Sequence, residues 1–238
     1  MTYVEGFVLA VPAANKETYR AMAQEAVGLF KEFGATRLVE NWGDDIPDGE
    51  INGFKRAAKA KPDEVVMFSW IEYPDRAARD AANQKLHSDT RTKDGPPKEM
   101  PFDGQRMFFA GFAPIVEHKT DGKPGYVDGS LVAVPTARKE EYRAWAEKAA
   151  AALRAEGALR VVEAWGDDVP DGKVTDFKRA VQARPDETVV YCWIEWPSKD
   201  IRDVAWQKLQ SSGRFKAEDT PFESARRVYG GFMPIVDG

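Results

Sequence analysis

The sequence predicts an α+β fold made twice over: two tandem β-α-β-β-α-β units that pair through their sheets within one chain. Three observations carry this. Residues 3–92 align with 126–215 without a gap, roughly half the positions being identical, and 101–116 align with 221–236 after a three-residue deletion. A repeat this long is a duplicated domain, not a solenoid period of about 20–50 residues. Within each copy, short β-rich runs alternate with helical spacing in the order strand, helix, strand, strand, helix, strand. Finally, the strands are apolar on both parities. The third strand reads Val66, Phe68, Trp70 on one side and Val65, Met67, Ile71, Tyr73 on the other, so both sheet faces must be covered.

Taken in order, Tyr3–Val11 and Tyr126–Val134 are strands ended by Pro12 and Pro135. Tyr19, Met22, Ala23, Ala26, Phe30 and Phe33 then recur at helical spacing, matched by Tyr142, Trp145, Ala146, Ala149 and Leu153. Gly34 and Gly157 stand where a left-handed cap stops each helix. The second strands are Arg37–Trp42 and Arg160–Trp165, followed by a G-D-D-x-P-D-G turn and a short helical piece around Phe54–Ala60 and Phe177–Ala183. The third are Val65–Tyr73 and Thr188–Trp196, closed by prolines. Asp75 and Ser198 are N-caps for a second helix, whose apolar face reads Ile201, Val204, Ala205 and Leu209. The last strands are Arg106–Val116 and Arg226–Val236. The unit is the ferredoxin-like arrangement, with both helices on one face of the sheet. The simplest cover for the other face is the second copy's sheet, which gives a barrel-like pair. The division is residues 1–117, a polar linker at 118–125, and 126–238.

Composition narrows the function classes. A net charge of -5 disfavours nucleic-acid or anionic-membrane partners, which call for a basic face. A single cysteine, Cys192, allows no intrachain disulfide and suits a reducing compartment; opposite Ser69 in the other copy, it reads as a packing residue. The apolar start lacks a basic n-region and recurs inside the chain, so it reads as structure. With no apolar run of about 20 residues, a cytoplasmic protein is expected.

The run Y-V-x-G, then W-G-D-D-x-P-x-G, x-F-K-R-A, W-I-E-x-P and P-F-D-G-x-R-M with G-F resemble the YbaA-like family, domain of unknown function 1428. The resemblance covers nearly the whole chain, twice. It implies membership of the dimeric α/β-barrel superfamily, with the intramolecular pair standing in for a homodimer of half-length chains. The superfamily's ligands lie between the sheet and its helices, and its members include antibiotic-biosynthesis-type monooxygenases and muconolactone isomerases. This is a fold-level analogy that transfers no residues. After the second helix the family pattern D-P-R-M is only partly kept, and Arg91 and Arg214 are what both copies retain. The second copy also has Glu223-Ser224 where the first has Asp103-Gly104.

Candidate site residues follow from strand parity. Glu40 and Trp42 share one side of the second strand, Trp70 and Glu72 one side of the third. Should the parities coincide, two carboxylates and two indoles share a surface, repeated as Glu163, Trp165, Trp193 and Glu195. The four glutamates are the catalytic candidates, since a carboxylate in a poorly hydrated aromatic pocket has a raised pKa and exchanges protons near neutral pH. The competing reading pairs each with an arginine such as Arg37 or Arg106 and makes it structural. Trp42, Trp70, Trp165 and Trp193 are ligand-binding candidates. So are Asp44, Asp45, Asp167 and Asp168, together with Arg91, Arg106, Arg214 and Arg226. The aspartate pairs read first as a side-chain-capped turn, ahead of a catalytic or metal-binding role, and no metal set is expected. Of the two histidines, His87 aligns with Gln210 and reads as a helix-end surface residue, while His118 lies in the linker. No cofactor is expected.

Two function classes stand. One is a small-molecule site between sheet and helices, with a cofactor-free monooxygenase or isomerase acting on an aromatic or carbonyl metabolite as its enzymatic form. The other is a non-catalytic interaction module with an architectural W-G-D-D segment. A ligand-sized cavity holding an unpaired carboxylate separates them. The assembly expected is a monomer or weak homodimer.

Overall fold

A computed structural model describes residues 2–92, 100–213 and 220–238. The strands are β1 (Tyr3–Pro12), β2 (Arg37–Asp45), β3 (Glu64–Tyr73) and β4 (Phe108–Lys119), then β5 (Tyr126–Pro135), β6 (Arg160–Asp168), β7 (Glu187–Trp196) and β8 (Val228–Asp237). They close into one barrel in the order β1-β3-β2-β8-β5-β7-β6-β4. Each repeat supplies four neighbouring strands, and antiparallel β2–β8 and β4–β6 pairs join the repeats. Closure removes the sheet edges that an isolated unit would expose. Bulges in both joints bend the strands around the corner. β4 runs on to Lys119, into the expected linker.

The barrel interior is a packed core. Phe68 stacks on Tyr191 at 4.4 Å and Trp70 on Trp193 at 4.6 Å, each pair formed by corresponding or near-corresponding residues of the two repeats. The one-turn helices α2 (Phe54–Ala57) and α5 (Phe177–Ala180) insert Phe54 and Phe177 into this core. The Y-V-x-G motif has its reason here. A Cβ at Gly6 would lie 2.8 Å from the Tyr191 ring, and one at Gly129 2.8 Å from the Phe68 ring, so each glycine admits an aromatic ring of the other repeat.

The outer wall is covered by α1 (Lys16–Phe33) and α3 (Arg76–Ser88) in the first repeat, and by α4 (Lys139–Ala155) and α6 (Lys199–Ser211) in the second. Gly34 adopts φ 112° and stops α1 as the spacing predicts; Gly157, at φ 105°, follows the end of α4. Asp75 and Ser198 cap α3 and α6 by accepting the Ala78 and Ile201 amides.

Three local expectations change. Gly43–Asp45 continue β2 rather than turning; the chain turns later, at Gly49, where φ is +69°. Arg106 and Arg226 close single 3-10 turns ahead of β4 and β8 rather than opening those strands. Of the predicted α6 face only Ala205 and Leu209 are buried; Ile201 and Val204 point outward, at 40% and 51% exposure. Arg202 and Trp206, which reach over to Asp128, hold the place between helix and sheet. Among the described residues no helix is long and apolar enough to cross a membrane.

Candidate functional site

A cavity of about 360 Å³ lies between the barrel wall of the first repeat and helices α1 and α3, the size of an ordinary small-molecule pocket. Strands alternate their side chains, so the residues of β1, β2 and β3 that miss the barrel core face this layer: Phe7 and Leu9, Leu38 and Glu40, and Ile71. Tyr19, Met22 and Phe30 of α1 and Leu86 of α3 roof it, with Phe102, Met107 and the half-exposed Phe109 along one side. His87, exposed near the C-terminal end of α3, lines it too.

Two acids interrupt this apolar lining. Glu40 is 5% exposed, and both donors that reach it converge on Oε2: Tyr19 Oη at 2.8 Å and Ser69 Oγ at 2.5 Å. Among the described residues no cation pairs with it, and none donates a hydrogen bond to Oε1. Burial pushes its pKa up to about 7, against the partial relief of the Ser69 and Tyr19 hydrogen bonds. Glu5, at the other acidic position, accepts from Asn83 Nδ2 at 3.2 Å and Arg79 Nη1 at 3.4 Å. Burial raises its pKa as well, with Asn83 and Arg79 working against the rise.

The second repeat has the corresponding cavity with a different content. It measures about 190 Å³ and holds Glu163, Cys192, Asp128, Ser130 and Arg227, with Trp145 and Trp206 occupying space that Met22 and Asn83 leave free in the first. Tyr142 donates to Glu163 at 2.6 Å, and burial raises the pKa of Glu163. Cys192 lies 3.5 Å from the Tyr142 hydroxyl, and its thiol works against the rise in the Glu163 pKa. The cysteine packs in the apolar layer under the helices, as expected, in the place that Ser69 holds in the first repeat.

The shared surface expected for the glutamates does not form. In the β2–β3 register Glu40 lies opposite Ser69, and Val39 opposite Trp70, so the parities are offset by one. Glu40 and Glu163 face the helices, whereas Glu72 and Glu195 go with the indoles toward the other repeat. There Arg160 holds Glu72 at 2.6 and 2.9 Å and Arg37 holds Glu195 at 2.7 and 3.2 Å, each indole nitrogen donating to its own repeat's glutamate. Burial would raise the Glu72 pKa, but Arg160 outweighs it and keeps the carboxyl below its ordinary value. The arginine-paired alternative thus describes Glu72 and Glu195. Trp70 and Trp193 belong to the barrel core, although Trp193 also borders the second cavity. Trp42 and Trp165 lie on the helix side, with Lys16 and Lys139 over their rings.

The aspartate pairs lie in strands and do not cap a turn. Each reaches across to the opposite repeat. Asp44 accepts from Tyr126 Oη and Lys199, Asp45 from Arg202, Asp167 from Tyr3 Oη and Arg76, and Asp168 from Arg79. Arg79 also holds Glu5, and Arg202 holds Asp128. Each cavity's first-strand acid is thereby tied to the W-G-D-D segment of the other repeat. Among the described residues no group of three or more His, Cys, Asp or Glu side chains could hold a metal ion.

The arginine candidates lie elsewhere. Arg106 makes a two-pronged pair with Glu64 at 2.6 Å and caps the carbonyl of Lys59, whose φ is +49°; Arg226 repeats this with Glu187 and Gln182. Arg91 bonds Asp89 and Glu32 at the surface, and Arg214 lies outside the described residues. The parity argument missed Glu5, Tyr19, Ser69 and Asn83. Glu5 could have been found as an acid set in an otherwise apolar strand and matched by Asp128 in the second copy.

Similarity to known proteins agrees with this architecture. The uncharacterized protein YbaA of Escherichia coli K12, and that of Shigella flexneri, are 56% identical over 117 residues, 49% of this chain and 99% of theirs. A candidate monooxygenase from Lactobacillus acidophilus NCFM superposes with a TM-score of 0.57 at 12% identity, covering 100% of this chain and 95% of its own. Another, from Fusobacterium nucleatum, gives 0.58 at 10%, covering 99% and 93%. At such identities the likeness is one of fold, that of the dimeric α/β barrels, and it says nothing of shared residues. The family model for the protein of unknown function DUF1428 matches twice, over residues 2–104 and 125–224, and the chain belongs to that family as a tandem of two repeats.

Proposed function

We propose that the first-repeat cavity binds a small, uncharged, ring-containing carbonyl or hydroxyl compound, and that Glu40 exchanges a proton with it. The observation that carries this reading is Glu40 itself: a buried carboxyl on an apolar cavity wall, with which, among the described residues, no cation pairs and whose Oε1 no donor reaches. With its pKa near 7, it is part ionised at neutral pH and can both take and return a proton. Two acids in the lining disfavour an anionic ligand, and the apolar walls favour rings.

In the step proposed, Oε1 takes a proton from carbon next to the ligand's carbonyl. The C–H bond breaks, an O–H bond forms on Glu40, and the electron pair moves to the carbonyl oxygen as an enolate. Tyr19 and Ser69 keep the carboxyl oriented from Oε2. An isomerase returns the proton to another carbon; in a cofactor-free oxygenase, dioxygen takes up the enolate's electrons. The candidate monooxygenases of the same fold make the second course worth assaying, as analogy only.

The test is deuterium exchange at the carbon next to the carbonyl of tetralone, followed by NMR in D₂O. The native protein should accelerate exchange with an apparent pKa near 7, and Glu40→Gln should reduce the rate to that of buffer. Equal rates for native protein and buffer, or an undiminished rate in Glu40→Gln, would refute the proposal.

A further inference from the structure

The second cavity is not a smaller copy of the first. We propose that it is a separate site for a small planar carboxylate, gripped by Arg227. The position matches Met107 of the first repeat, so the fused chain has put a guanidinium where the other cavity has a thioether.

Three observations support the assignment. First, Arg227 lacks a carboxylate partner among the described residues. Among the described residues its one hydrogen bond runs from Nη2 to Ser130 Oγ at 3.3 Å and its buried Nε has no partner, while the guanidinium lies 5.5 Å from the Tyr229 ring centroid. An arginine with open donors on a cavity wall is a fork suited to a two-oxygen anion. Secondly, the acids nearby take their hydrogen bonds from other donors. Asp128 is taken by Arg202 at 2.8 Å and by the indole nitrogens of Trp196 and Trp206 at 2.9 and 2.7 Å. Glu163 accepts from Tyr142 at 2.6 Å, and burial raises its pKa against opposing pulls from Cys192, Tyr142 and the Arg227 charge. Arg227 therefore gives this cavity a guanidinium in its lining, which the first cavity lacks. Thirdly, the volume selects by size. A dry cavity of about 150 Å³ holds a benzene ring, so about 190 Å³ admits a single ring or short chain bearing a carboxylate, not a fused bicyclic.

The experiment is calorimetric titration of the full chain with benzoate and with benzamide, its uncharged counterpart of the same shape. One benzoate per chain should bind, at least tenfold more tightly than benzamide. Arg227→Met, which copies the first repeat, should lower benzoate affinity at least tenfold, about 1.4 kcal/mol, while keeping the native melting temperature. Arg227→Lys should restore part of it, retaining charge without the fork. Phe30→Trp, which fills the first cavity, should leave benzoate binding intact, and this separates the proposal from the function assigned to Glu40. Absence of saturable binding at millimolar benzoate would overturn it. So would equal affinity for benzamide in Phe30→Trp, where the first cavity is filled, or benzoate affinity unchanged in Arg227→Met.

Discussion

Replacing Glu40 by Gln should make the protein more stable, increasingly so as the pH rises. The native pKa lies near 7 against an ordinary value of 4.5. Between those limits the folded chain keeps a proton that the unfolded chain has released. Since stability rises with pH only where the unfolded state binds more protons, here it falls. The loss begins near pH 4.5 and is complete once the pH has passed through about 7. At about 1.4 kcal/mol for each pH unit between the two pKa values, it amounts to about 3 kcal/mol. A glutamine reproduces the neutral carboxyl: its carbonyl oxygen can accept from Tyr19 and Ser69, and it never ionises. Urea unfolding of both proteins from pH 4 to pH 8 should therefore show Glu40→Gln gaining about 3 kcal/mol on the native protein across the range. Glu163, whose pKa is also raised, is present in both and cancels. A constant difference between the two curves would refute the reasoning. A native protein that gains on the variant as the pH rises would show that Glu40 is already ionised and paired in the fold.

Asp168→Asn should cost about 1–2 kcal/mol in urea unfolding. It weakens the 2.6 Å bond to the buried Arg79, but Asp168 itself is 43% exposed at the side chain, which places the loss between surface and buried pairs. Mg²⁺ or Ca²⁺ should leave the melting temperature unchanged in thermal-shift assays, because Asp44, Asp45, Asp167 and Asp168 are already held by Lys199, Arg202, Arg76 and Arg79. A rise abolished by Asp45→Asn would reverse that assignment. Residues 1–119 expressed alone should sediment as a homodimer, since β2 and β4 are paired in the full chain only with strands of the other repeat on their outer sides. A stable monomer would contradict the closed-barrel account.

How far the sequence leads differs between fold and site, for a physical reason. Strand runs, helix periods and caps are local, and the duplication shows each of them twice. The apolar character of both strand faces is also legible, and it calls for the second sheet that closes the barrel. The site depends on something the sequence does not carry, the register between neighbouring strands. Glu40 and Trp70 each have a known parity, yet a slip of one residue decides whether they meet, and in the structure Glu40 meets Ser69. Long-range polar pairings are equally hidden. Asp168 and Arg79 are 89 residues apart, and no local pattern joins them. A carboxylate such as Glu72 looks the same in sequence as Glu40 until the arginine of the other repeat is in place.

The inter-repeat joints have a consequence for how such a protein can change. In a homodimer one codon writes both cavities, so an alteration that improves one alters its twin as well. Here the two pockets are encoded separately, and Met107 and Arg227, Asn83 and Trp206, or Ser69 and Cys192 can drift apart without penalty to each other. That freedom stops at the crossed tethers. Asp168 serves Arg79 beside the first pocket and Asp45 serves Arg202 beside the second, so each half remains answerable for the other's wall. Linings can specialise, whereas the W-G-D-D segments must stay alike for as long as the two halves share one barrel.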